Sequence, residues 1–108
     1  MRVISQDGKL DFPYENSIVF IDTRAKDAVF VRMQAIGDDE ASIMADYSTE
    51  EKAKKAMEML RIVYENNEFY HHISNSEHFT EFVKALGEEM SKKATSEYFQ
   101  FPTDEELE

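Results

Sequence analysis

Cysteine and tryptophan are absent from this chain, and proline and glycine are scarce, with two and three in 108 residues. Without cysteine there is no disulfide, no thiolate metal site and no cysteine nucleophile. The glycines Gly8, Gly37 and Gly87 stand apart, so no glycine-rich phosphate loop of the Walker or Rossmann kind can form, and no GxSxG elbow occurs. Basic residues are also in short supply, 12 against 23 acidic ones, for a net charge of −11. Such a field repels nucleic-acid backbones and anionic membranes, so general DNA or RNA binding is not expected. Apolar runs such as Ile18–Ile21 and Ala28–Val31 fall far short of the ~20 residues that cross a bilayer. The start Met1-Arg2-Val3 carries no apolar stretch resembling a signal peptide, from which a cytoplasmic location is expected.

What is present suits one small domain. Apolar residues make up 42% and aromatics 12%, enough for a single core at this length. The expected fold class is α+β, an N-terminal antiparallel β-meander packed on two C-terminal helices. Val3 and Ile4 lead through Gln6-Asp7-Gly8-Lys9 to Leu10 and Phe12, and Asp-Gly suggests a tight hairpin with a positive-φ pair. Ile18–Ile21, Val29–Val31 and Ile43-Met44 continue the meander, with turn-rich segments between them.

The second half switches to helical period. Ser48-Thr49-Glu50-Glu51 reads as a capping box with Ser48 at the cap. Ala53, Ala56, Met57, Leu60, Val63 and Tyr64 then form one apolar stripe on a helix over roughly Thr49–Asn66. A second cap around Ser74–Glu77 opens a helix carrying Phe79, Phe82, Val83, Leu86 and Met90. Glu97–Phe101 alternates weakly and reads as a short final strand. The domain is assigned to residues 1–102, followed by a mobile acidic tail over 103–108.

Candidate chemistry is sparse. His71, His72 and His78 lack a carboxylate at zinc-protease spacing, and adjacent histidines point apart, so no metal is expected. Carboxylates are so numerous that a pair such as Asp38-Asp39 carries no information about acid–base catalysis. The chain is read as a binder, not an enzyme, with no cofactor. Arg61, Tyr64, Phe69, Tyr70, His71 and His72 place a guanidinium beside several rings, a combination that grips a phosphate while a ring stacks a base. The bland alternative is an arginine snorkelling beside core aromatics. Arg24, Lys26 and Arg32 form a second basic group, a ligand contact or a solvated rim. Ile62 falls opposite the apolar stripe and points to a homo-oligomer, dimer or hexamer.

The opening Met1-Arg2-Val3-Ile4-Ser5-Gln6-Asp7-Gly8 with Asp11-Phe12-Pro13-Tyr14-Glu15, and the run Tyr47–Ala53 continuing to Met57–Arg61, resemble small phage and prophage proteins of Gram-positive bacteria. The ending Tyr98–Pro102 is similar but weaker. Within that group the layout resembles the first type of Thoeris anti-defence proteins, phage-encoded sponges for immune signalling nucleotides. The resemblance implies an oligomer that sequesters cyclic ADP-ribose isomers made by TIR-domain enzymes without degrading them, and cyclic oligonucleotides at separate sites. It also implies pockets that combine aromatic stacking with Arg, Asn and backbone donors near subunit interfaces. The site residues named above come from local chemistry. The competing class is an acidic inhibitor resembling anti-CRISPR proteins, whose Asp38, Asp39, Glu40 and tail would occupy the basic groove of a defence nuclease.

Overall fold

Short strands at both ends of the chain meet in one sheet, and the longer middle strands form another. The computed structural model describes residues 1–73 and 98–107. Strand β1 (Arg2–Ile4) pairs antiparallel with β2 (Asp11–Pro13), Val3 opposite Phe12. A 3-10 turn, Tyr14–Asn16, redirects the chain into β3 (Ser17–Asp22), which with β4 (Val29–Ala35) and β5 (Ser42–Tyr47) makes an antiparallel sheet in the order β3-β4-β5. Helix α1 (Glu50–Ile73) follows, and β6 (Tyr98–Gln100) returns parallel to β1, giving the order β2-β1-β6. A second 3-10 turn covers Glu105–Leu107.

The α+β class stands, and the short final strand is present as β6. The single N-terminal meander is corrected, because β1 and β2 separate from β3-β4-β5 and are completed by a strand from the other end of the chain. Pairing in parallel with β6 needs no sequence signal near β1, only a long connection. The second helix expected from Ser74 onward lies outside the described residues.

The core lies between the sheets and α1. Alternation along β4 buries Val31 and Met33, and β5 adds Met44, Ala45 and Tyr47. Met44 and Ala45 are consecutive and both buried because the β4–β5 register shifts at Val31/Arg32, a bulge that turns two successive side chains inward. Helix α1 contributes Ala53, Ala56 and Leu60, with Met57 and Val63 packed at the margin, while Val3, Phe99 and Phe101 close the other end. The rings of Phe99 and Phe101 meet edge to face at 5.3 Å.

The structure corrects local expectations too. The β1–β2 loop holds no positive-φ pair; Gly8 alone has φ of +77° in it, and the Asp7 carboxylate accepts from the Ser5 hydroxyl at 2.6 Å and the Lys9 amide at 3.0 Å. Thr49, not Ser48, caps α1, its Oγ1 accepting the Lys52 N–H at 3.2 Å. The helix runs through Asn66 to Ile73, since no glycine or proline interrupts Glu50–Ile73 and Asn67 is buried within it. Ile62, expected on a second buried face, is 43% exposed.

The C-terminal segment, expected to be mobile, is packed in its described part. Pro102 is buried and Leu107 is 6% exposed. The Pro102 carbonyl accepts from Tyr47 Oη at 2.7 Å and Gln6 Nε2 at 3.0 Å. Gln6 also clips the two sheets together, its Oε1 accepting the Asp46 N–H and its own N–H donating to the Met44 carbonyl.

Candidate functional site

The side chains with ligand-binding chemistry collect where α1 crosses the start of β3. The 3-10 turn places Tyr14 against α1, where its ring meets Tyr64 at 4.4 Å between centroids with planes inclined by 37°. Beside this pair opens a cleft of about 450 Å³ lined by Tyr14, Val19, Lys54, Met57, Glu58, Leu60 and Arg61. Helical spacing explains the helix's share: residues 54, 58 and 61 fall on one face at steps of four and three. The floor is apolar, from Val19, Met57 and Leu60, and the rim carries two cations and one carboxylate.

Arg61 is poised but weakly held. Its Nη2 stands 4.0 Å from Glu58 and its Nε 4.0 Å from Glu65, and its side chain is 63% exposed. Pairs so long and wet contribute little, so the guanidinium keeps its donors for a better acceptor. Lys54 is similar, 3.7 Å from Glu50. Burial, together with the charges of Glu68 and Glu15, pushes the Tyr64 phenol above its ordinary range, which keeps it a neutral ring.

The structure brings together Arg61 and Tyr64 and leaves Phe69, Arg24 and Lys26 elsewhere. Phe69 is exposed and, eight residues after Arg61 on one continuous helix, sits roughly 12 Å farther along the axis. The side chains of Tyr70 and His71 lie outside the described residues, as do those of His72 and His78. Arg24 lies two residues past the end of β3, its side chain exposed, and its Nε and Nη2 both donate to Asp22 at 2.9 Å. Arg32 Nε donates to the same carboxylate at 2.7 Å and lies over the Phe30 ring at 5.6 Å. Hydrogen bonds from Arg24, first its side chain and then its amide, hold the Asp22 carboxyl far below the usual carboxylate range. This cluster is an intrachain ion-pair network in which an exposed Arg24 and a partly buried Arg32 share one buried carboxylate. Lys26 is exposed in the β3–β4 turn, away from the cleft.

Tyr14, Lys54 and Glu58 escaped sequence reasoning. The row 54-58-61 was available as a helical face; Tyr14 had no sequence signal, because its contact with Tyr64 spans 50 positions.

A second depression, lined by Gln6, Asp7, Asp46, Thr103, Asp104 and Glu105, is acidic, and Asp104 within it is engaged by Ser48 and Lys52. No family model, no curated protein and no solved structure matches the chain.

Proposed function

We propose that this chain binds a small anionic ligand bearing an aromatic base and holds it without converting it, as a sponge for cyclic nucleotide signals of the cyclic ADP-ribose type. The observation that carries the reading is the Tyr14–Tyr64 ring pair beside a cleft whose rim bears Arg61 and Lys54. A ring offers a stacking surface and a loosely paired guanidinium offers two parallel donors to a phosphate. The cleft volume falls within the range used by small-molecule sites. In a chain of net charge −11, the local cations are what would make an anion site workable.

Retention without turnover is favoured by the groups around the cleft. Tyr64 is pushed away from the phenolate form, and an activated nucleophile needs the opposite shift or an adjacent base. The resemblance of the opening and of Tyr47–Arg61 to Thoeris anti-defence proteins is in line with the same reading, in which the ligand would be a bacterial immune signal. The competing reading, an acidic inhibitor of a defence nuclease, keeps the exposed Asp38-Asp39-Glu40 turn but loses Asp104, which is committed to α1.

A thermal-shift screen against cyclic ADP-ribose isomers and cyclic oligonucleotides tests the proposal. A saturable rise in Tm supports it, and heat release followed by chromatography should return the starting compound. Recovery of ADP-ribose would show hydrolysis instead. Absence of any shift, with a basic nuclease captured in low salt only, would favour the inhibitor.

A further inference from the structure

The sheet β3-β4-β5 has two edges, and the chain treats them differently. The β5 edge is closed: Gln6 donates its backbone N–H to the Met44 carbonyl at 2.7 Å, and its side-chain amide takes both the N–H and the carbonyl of Asp46. Among the described residues the β3 edge is open. Ile36 N–H donates to the Asn16 carbonyl at 2.8 Å, in line with the β3–β4 register that pairs Ile18 with Gln34 and Phe20 with Arg32. Hydrogen bonding alternates along an antiparallel strand, so the even-numbered residues bond to β4, and the backbone groups of Val19 and Ile21 point outward. Among the described residues nothing meets them. The Ser17 N–H is taken by the Tyr14 carbonyl, but its own carbonyl points out beside them.

Exposed edges in monomeric proteins are guarded by lysine, proline or a bulge. This one carries none: Ser17-Ile18-Val19-Phe20-Ile21 is uncharged and rich in β-branched and aromatic residues, and Ile18 is 61% exposed.

We propose that β3 pairs antiparallel with β3 of a second copy about a two-fold axis through Val19, joining two three-stranded sheets into one of six strands. The self-pairing register follows from faces and charge. With Val19 opposite its own counterpart, Ile18 lies beside Phe20 of the second copy on the outer face, a β-branched–aromatic pair of the kind that stabilises sheets. Val19 exchanges both its backbone bonds with its counterpart, and on either side the Ile21 N–H donates to the Ser17 carbonyl. Shifting the pairing sum by one would put opposite faces together. Centring it on Phe20 would set Ile18 against the Asp22 carboxylate.

The inference does not depend on the ligand reading, and its test contains no ligand. Light scattering at high micromolar concentration should give at least twice the 12.6 kDa chain mass, and Ile18→Lys, a change at an exposed position, should return it to the single-chain value with an unchanged circular dichroism spectrum. Should that variant fail to fold, Val19→Cys decides, since the chain has no other cysteine: oxidation should link two copies directly across the axis. A single-chain mass for the unaltered protein, a dimer that Ile18→Lys leaves intact, or a dimer that Val19→Cys does not cross-link overturns the proposal.

Discussion

The Asp104 carboxylate accepts the backbone N–H of Ser48 at 2.7 Å, tying the C-terminal segment to the residue before the Thr49 cap of α1. The same carboxylate accepts from the Ser48 hydroxyl at 2.9 Å and from Lys52 Nζ at 2.9 Å. A negative charge at a helix start complements the helix dipole. Asp104→Ala should therefore lower the unfolding midpoint and expose residues 103–107 to protease. An unchanged midpoint with the segment still protected would mean that Pro102 and Leu107 alone hold it.

The cap of α1 distinguishes two neighbouring hydroxyls. Thr49→Ala removes the acceptor for the Lys52 amide and should cost about 1 kcal/mol, measured by urea unfolding. Ser48→Ala leaves that cap intact and should act through Asp104, so its effect should vanish in an Asp104→Ala background.

The Pro102 carbonyl is held twice, by Tyr47 and by Gln6. Tyr47→Phe should cost about 1 kcal/mol and Gln6→Ala about 1–2 kcal/mol, the scale of individual hydrogen bonds. Together they leave that acceptor without either partner. The double variant should then lose more than the sum of the two, and simple additivity would show that water takes their place.

Asp22 supplies a pH dependence. Its carboxyl is depressed in the folded protein by Arg24 and Arg32, so the folded state binds fewer protons than the unfolded state as pH falls through the carboxylate range. The stabilisation is complete above the unfolded value near 4 and is lost progressively as pH drops below it, toward the depressed folded value. Asp22→Asn should be less stable at neutral pH, where Arg24 and Arg32 lose their counter-charge, and its acid unfolding curve should be shallower. Equal acid slopes would remove Asp22 as the cause.

Arg61→Ala should weaken binding of a cyclic ADP-ribose isomer by about 1.5–3 kcal/mol, the scale of a charge-assisted hydrogen bond, with little change in Tm of the free protein because its ion pairs are long and exposed. Titration calorimetry reads the difference. Equal affinity takes Arg61 out of the site.

Periodicity carried much of the fold. The alternation in Val29–Val31, the stripe Ala53-Ala56-Leu60 and the weak pattern at Tyr98–Phe101 each report which side of an element faces the core, and each is a local property. What could not be read is nonlocal. Ser48 looks like a cap until Asp104, 56 positions away, takes its hydroxyl. Gln6 looks like a turn residue until it stands as a substitute strand beside Asp46. The site was half legible: Arg61 and Tyr64 are close in sequence and in space, but Tyr14 arrives from the other half of the fold.

By itself the sequence determined the class of the protein, because residue composition and hydrophobic spacing decide whether a segment buries one face of a strand or of a helix, and because missing cysteine and glycine motifs remove whole families of chemistry. Tertiary structure decided the rest: that β6 pairs with β1, that Asp22 draws in two arginines, that Tyr14 leans on Tyr64, and that, among the described residues, one sheet edge is closed while the other is open. Those outcomes depend on hydrogen bonds and ring contacts between distant positions, whose formation depends on how the whole chain packs and not on any local pattern.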